Sequence, residues 1–350
     1  MDSFFSSKGL HILHLNVRSL LKKMTDIRLL FKSNKVGILC FTETFLDSSI
    51  NDSEINVDNY TVVRRDRNRN GGGVCIYVRS DIVFNIRSDL DHEHIEAVWL
   101  DILLPKSKPI LVGACYRPPD QNDFYKILEE VCANTVDFVK TEAIVIGDLN
   151  TNIQKNNTAI YKALKSFCYF FDLHQLIVEP TRICDSSQTT IDLILTSDRS
   201  KIANSGVIHY GLSDHSIIFC TRKIQRSAPG CHNQIKVRSL RNYSSEVLSS
   251  SLGSLDWSPV FDCSTTDKAS DCFRSMFLPI VDKLAPIKEI RSKTRTEPWI
   301  NPDILIAIEQ RNKKFTIYRK NKDQRSLEEF KKYRNTVNRL VRIAKTDFFQ

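Results

Sequence analysis

No two of the ten cysteines fall in a CxxC spacing, which removes zinc-ribbon, zinc-knuckle and dithiol redox motifs from consideration. Most stand singly inside apolar runs (Cys40, Cys75, Cys115, Cys220), so no disulfide framework is suggested and the expected setting is reduced and intracellular. Long apolar runs are missing too: nothing approaches the ~20 consecutive apolar residues of a membrane helix. The N-terminal apolar stretch is interrupted by His11, His14, Asn16 and Arg18, and Asp2 comes early, which makes a poor signal peptide. Internal repeats are absent. A charge imbalance is absent from most of the chain as well. Residues 287–350 hold 17 Lys and Arg against 8 Asp and Glu, a surplus equal to the whole net charge of +9. The first 286 residues are therefore balanced, and the basic character belongs to the tail.

What is present is a series of short apolar stretches ending in polar residues, in a chain of 350 residues with 41% hydrophobic content. That is too long for one ordinary core and short for three. Leu10–Leu15 reads as a strand delivering Asn16. Arg18–Ser33 reads as an amphipathic helix, and Val36–Phe41 as a buried strand ending in Thr42-Glu43-Thr44. Tyr60–Val63 and Val74–Val78 flank a basic, Gly-rich hairpin, RRDRNRN followed by Gly71-Gly72-Gly73. Its arginines Arg64, Arg65, Arg67 and Arg69 suit either a phosphate backbone or a solvated turn. Glu96–Leu104 and Ile110–Tyr116 are strands, the second stopped by Arg117-Pro118-Pro119. Asp123–Lys140 and Thr158–Asp172 read as helices, Thr189–Thr196 and Ser216–Arg222 as further strands, about nine strands in all.

The stretch Ala143–Ile153, AIVIGDLNTNI, is central. Four apolar residues form a buried strand, Gly147 permits close backbone packing, and Asp148 and Asn150 follow. On a strand, residues i and i+2 share a face, so a carboxylate and an amide would look into one site. The alternative is a strand followed by an Asx-turn. With Asn16, Glu43, Tyr116, Asp192 and Asp214-His215 the set has a consistent chemistry. Glu43 is a hard oxygen ligand for magnesium. Asp148 can take a proton from water, and Asn150 and Tyr116 can donate to phosphate oxygens. A protonated His215, its ring held by Asp192 or Asp214, can do the same. Spacing alone does not make these residues converge.

The ordered set NVRSL (16–20), FTETFL (41–46), YRPP (116–119), GDLN (147–150), TIDLIL (190–195) and SDH (213–215) resembles the exonuclease–endonuclease–phosphatase family over residues 8–224. Within it the chain is most similar to the endonuclease domain of non-LTR retrotransposons, which share the LNVRSL opening and the tail pattern EPWINPDI before basic helices. The resemblance implies an α/β fold, a four-layer αββα sandwich of two mixed β-sheets flanked by helices, followed by a mostly helical basic C-terminal connector. It implies Glu43 at the metal, with Asn16 supporting metal and central aspartate and Asp214 at or near it. Asp148 would activate water, Asn150 and Tyr116 contact phosphate, and Asp192 orient His215. The cofactor would be Mg2+, with Mn2+ substituting. The partner would be DNA, contacted by the arginine hairpin and Arg117, and element RNA through the basic tail, with no membrane.

The implied activity is hydrolysis of one phosphodiester in duplex DNA to leave a 3′-hydroxyl, in the nucleus or cytoplasm. The alternatives are a cellular abasic-site endonuclease or small-molecule phosphatase of the same fold, and a nucleic-acid-binding protein without turnover. Abasic members of the family carry a tryptophan three positions before the aspartate corresponding to Asp192. Here that position is Thr189, followed by Thr190 and Ile191, which implies little preference for abasic sites. Retrotransposon relatives continue into a reverse transcriptase, and this chain holds no YADD or FADD motif. The expectation is therefore a fragment or truncated copy: an enzymatic domain at 8–224, a Ser-rich linker at 225–266, and a helical basic connector at 267–350. The tail is expected to add affinity and not chemistry, leaving residues 1–225 active alone.

Overall fold

Alternation along the strands sets the architecture. The computed structural model describes residues 8–31, 35–105, 107–135, 138, 141–184, 187–224, 234–241, 243–291 and 298–349. In β1 (Leu10–Asn16) all seven residues are buried, the mark of a strand covered on both faces. Leu13 and Leu15 face outward into a cluster with Met24, Ile27 and Phe31 of α1 (Met24–Phe31). Leu10 and Ile12 face inward, into a cluster shared with a second sheet.

The first sheet has the order β13 (Ile202–Ile208), β14 (Ile217–Arg222), β1, β2 (Ile38–Thr42), β4 (Val74–Arg79), β3 (Tyr60–Arg65). The second runs β5 (Val83–Ile86), β6 (Glu96–Leu103), β7 (Ile110–Tyr116), β8 (Glu142–Asp148), β12 (Asp192–Thr196), β9 (His174–Gln175). Both are mixed: β1–β2 and β7–β8 are parallel, whereas β1–β14 and β8–β12 are antiparallel. Helices α2 (Phe124–Asn134) and α3 (Ala159–Phe170) cover the outer face of the second sheet through Phe124, Leu128, Leu164 and Phe167. The result is the expected four layers, helix, sheet, sheet, helix, with a two-stranded hairpin, β10 (Arg182–Cys184) and β11 (Ser187–Thr189), beside them.

The expected helix at 18–33 begins late. Arg18 and Ser19 have φ of 44° and 81°, left-handed values that cannot start a helix. The chain there bonds sideways to the loop after β2: Val17, Ser19 and Leu20 N–H donate to Thr42, Glu43 and Thr44 carbonyls at 2.9–3.0 Å. A 3₁₀ turn at Leu21–Lys23 then leads into α1.

Two compact units partition the chain, residues 1–227 with 295–350, and residues 228–294. The second holds the antiparallel pair β15 (Gln234–Arg238) and β16 (Ile287–Arg291) with α4 (Ser245–Gly253), α5 (Ser258–Phe261) and α6 (Thr266–Leu284). The segment read as a linker thus contains helices, because serine in this stretch acts as a cap: the Ser244 hydroxyl accepts from Val247 N–H at 3.3 Å. Arg238 and Asp282 pair at 2.7 Å, and Trp257 stacks on Phe273.

Helices α7 (Pro302–Asn321) and α8 (Gln324–Phe349) belong to the first unit. Asn301 caps α7 by accepting from Ile304 N–H at 3.0 Å, and Lys322, at φ 57°, ends it. Arg311 of α7, with only 3% of its side chain exposed, donates to Asp26 of α1 at 2.9 Å and lies over the Tyr210 ring. Phe315 and Phe330 pack together above Gly211. These helices are part of the packed body and not a solvated appendage. Among the described residues no helix is long and apolar enough to cross a membrane.

Candidate active site

The parity that builds the inner core also gathers the polar strand ends. Ile12, Ile144, Ile146, Ile194 and Val112 and Ala114 all face the space between the sheets. Counting by twos along each strand places Asn16, Asp148, Asp192 and Tyr116 on that inner face. Register puts them at one rim: Asp148 lies opposite both Tyr116 and Asp192, and Asn16 beside Thr42, the residue before Glu43. Gly147 is required for this, since a Cβ there would sit 1.8 Å from the Cys115 carbonyl. His215 arrives from the loop before β14, its backbone bridged to Arg182. Glu43, Phe45 and Asn150 join Arg18 and Ser19 as left-handed non-glycine residues, a concentration of strained backbone at the rim.

Asn16 is the hub. Its Nδ2 donates at 2.8 Å to Glu43 Oε1 and at 2.8 Å to Asp148 Oδ2, while its Oδ1 is buried with no hydrogen-bond partner. The Tyr116 hydroxyl donates to Glu43 Oε1 at 3.3 Å. His215 Nδ1 lies 2.9 Å from Asp192 Oδ2 and 3.9 Å from Asp148 Oδ2. The Thr181 hydroxyl accepts from the N–H groups of Ile191 and Asp192, fixing the start of β12.

Electrostatics separates the two aspartates. Burial, then the neighbouring Asp192 charge, raises the Asp148 carboxyl above the usual carboxylate range, against the pull of His215 and Asn16. Burial pushes Asp192 the same way, but the charge and hydrogen bond of His215 outweigh it and hold its carboxyl low. His215 is pulled down by burial, yet Asp192 first, with Asp148 and Asp214, pushes it up to about 9, so it is a cation at neutral pH. Two carboxylates in contact with one imidazolium thus have different proton affinities, the arrangement that assigns base and orienting roles.

Asp148, Asp192 and His215 also bring ligand-type atoms within 4.8 Å of one another. A protonated imidazole has no lone pair for a metal, and Asp192 is engaged by it. Among the oxygens at the rim, the Glu43 carboxylate, which accepts from Asn16 Nδ2 and the Tyr116 hydroxyl, and the unpartnered Asn16 Oδ1 are of the kind that suits a hard divalent ion.

Asn150 sits differently from the expectation. Its left-handed turn carries the amide back toward the strand, with Nδ2 donating to the Arg117 carbonyl at 2.8 Å and its backbone N–H donating to Asp148 Oδ1 at 3.0 Å. GDLN thus closes an Asx-turn on Asp148 at the end of β8. Asp214 pairs with Arg18 and Arg182, each at 3.1 Å.

Arg117 is not available to nucleic acid: only 2% exposed, it donates to the carbonyls of Leu149, Asn150, Pro118, Pro119 and Gln121. The correction has a physical cause, since a buried guanidinium has five donors to satisfy and this turn supplies the acceptors. Arg64 and Arg65 are half-buried, donating to Ile50 O and His92 O at 2.6 Å, and Arg67 pairs with Glu96 at 2.8 Å over the Tyr116 ring. Arg69 is exposed. Three residues at the site went unread in the sequence. Arg18, 3.6 Å from Glu43, lay inside the NVRSL motif and was findable there. Arg182 carried no signal. His14, two residues before Asn16, is fully buried with Nδ1 3.8 Å from Asp192, and burial lowers it to about 4, so it is neutral.

A profile of the Endonuclease/Exonuclease/phosphatase family matches residues 13–215. Among solved structures, the endonuclease domain of TRAS1, a telomere-specific non-LTR retrotransposon, superposes with a TM-score of 0.50 at 18% identity, covering 62% of this chain and 100% of that one. An AP endonuclease from Archaeoglobus fulgidus superposes with a TM-score of 0.48 at 17% identity, covering 61% and 100%. At this identity the TRAS1 superposition speaks to the fold alone. No curated protein matches the sequence at a significant level.

Proposed function

The chain belongs to the endonuclease/exonuclease/phosphatase family, whose members are divalent-metal-dependent phosphoesterases, and from that premise we propose that it is a magnesium-dependent DNA endonuclease. The observation that carries this reading is the buried Asn16–Asp148–Asp192–His215 constellation with Glu43 at its edge. Asp148, the carboxyl with the raised proton affinity, accepts a proton from the attacking water. The new bond forms between that water oxygen and phosphorus, the bond from phosphorus to the 3′-oxygen breaks, and a 3′-hydroxyl and a 5′-phosphate result. His215, charged and fixed by Asp192, stabilises the negative charge that builds on the phosphate oxygens. Glu43 and Asn16 Oδ1 would hold the divalent cation, which when bound supplies Lewis-acid neutralisation of the phosphate. Tyr116 orients Glu43 and lies next to the phosphate position.

The substrate in this reading is intact duplex DNA, as the retrotransposon resemblance implies. Thr189 and Thr190 give the wall before Asp192 a polar character, and the Thr190 hydroxyl is already bonded to Glu179 O and Gln154. The test is nicking of supercoiled plasmid by the full chain. Magnesium or manganese should support nicking, chelator should abolish it, and one abasic site should compete no better than intact duplex. Turnover undiminished in excess chelator would remove the cation from the mechanism.

A further inference from the structure

A cleft of about 550 Å³ opens beside the site, between α8 and the loop that carries Asp214. Arg18 joins the two: it lines the cleft, and its guanidinium is 3.6 Å from Glu43 and 3.1 Å from Asp214. The floor is apolar, with Leu212, Phe315 and Phe330, and α8 adds Lys331 and Arg334 to the lining, whereas Lys23 is half-buried with its ammonium donating to the Val17 carbonyl. The one carboxylate lining the cleft, Asp214, is already engaged by Arg18 and Arg182. Lys331 and Arg334 stand one turn apart on α8, both exposed, and neither has a carboxylate within ion-pair distance among the described residues. Lys313 and Lys314 of α7, by contrast, are paired with Glu309 and Glu329.

We propose that this cleft receives the sugar–phosphate backbone of the DNA strand flanking the scissile bond, with Lys331 and Arg334 on its phosphates. The proposal rests on the endonuclease reading, and it makes the C-terminal helices a wall of the substrate site and not a separate affinity tag. The volume is in the range of small-ligand sites and suits a nucleotide-sized segment. An apolar floor under a basic rim matches the two sides of such a segment, sugar and base edge below and phosphate above.

The test is binding of a fluorescent duplex oligonucleotide to the full chain in chelator, so that hydrolysis does not enter. Wild type is compared with Lys331→Gln/Arg334→Gln and with a charge-matched control, Lys332→Gln/Arg339→Gln, exposed positions on the same helix that do not line the cleft. Two lost phosphate contacts should flatten the dependence of log affinity on log salt by roughly 1.8, so that the wild-type advantage shrinks about tenfold between 50 and 200 mM salt. The control should keep the wild-type slope. A cleft variant with the wild-type slope, or a control that falls as far, overturns the proposal. Plasmid nicking is scored separately: a wild-type protein that binds with the expected slope but never nicks would sink the endonuclease reading and leave the cleft standing as a DNA-binding surface.

Discussion

His215 and Asp148 lie 3.9 Å apart and need opposite protonation states to work. Replacing either with alanine should lower nicking ~10²–10⁴-fold, the usual contribution of a base or charge-stabilising group. Circular dichroism should show the fold retained. The pH profile follows from the shifts. Asp148 must be ionised, and because burial raises it, activity should fall on the acid side at a higher pH than an ordinary carboxylate gives. His215 must be charged, so activity should fall as pH rises past about 9. In Asp192→Asn the charge that lifts His215 is gone while burial remains, and the alkaline limb should move down by at least ~1 unit. An unmoved limb would mean that another group sets it. The same pair affects stability. His215 is raised in the folded state, so its contribution is complete below its unfolded pKa of ~6.5 and disappears as pH climbs through about 9. Urea midpoints of wild type and His215→Gln should therefore converge at high pH.

At the scale of elements, the turn after β8 depends on the end of β7. Arg117 ties the two together through carbonyls of Leu149 and Asn150 on one side and Pro118, Pro119 and Gln121 on the other. Arg117→Ala would orphan these acceptors and release the turn that presents Asp148. A loss of ~2–4 kcal/mol is expected from urea unfolding, given the strength of hydrogen bonds to charged groups, with nicking lost in parallel. Lysine should not rescue it, because one ammonium cannot fork to acceptors on both sides. Arg69→Ala, at an exposed hairpin position, should stay within ~0.5 kcal/mol of wild type. Equal effects at the two positions would contradict the division between a structural and a surface arginine.

For the molecule as a whole, the contact between α1 and α7 holds the C-terminal helices to the sandwich. Asp26 and Arg311 are 285 residues apart in sequence and 2.9 Å apart in space, and Arg311 is buried. Asp26→Ala would leave a buried guanidinium without its carboxylate, with Asn312 Oδ1 still accepting from it, at a cost of ~3–5 kcal/mol by thermal unfolding. Asp26→Ala with Arg311→Met should recover much of that, since a methionine needs no counter-charge. Residues 1–225 alone would lack this packing, Arg311 over the Tyr210 ring and Phe315 against Gly211.

The sequence by itself determined which side chains sit at the rim. Apolar strands that end in Asn16, Tyr116 and Asp148, and one that contains Asp192, have a period of two, and that period puts these residues on one face of each strand. The order of six short motifs then named the family and assigned Glu43 and His215. Only the tertiary structure decided what each polar group bonds to. Asn150 turned its amide to the Arg117 carbonyl, and Arg117 was consumed by backbone acceptors. Arg182 reached Asp214 from 32 residues away, and the basic tail folded back as a wall beside the site. Local pattern specifies faces and ends because backbone geometry repeats over a few residues. Partners far apart in the chain are set by which buried donors and acceptors packing brings together, and no local period records that.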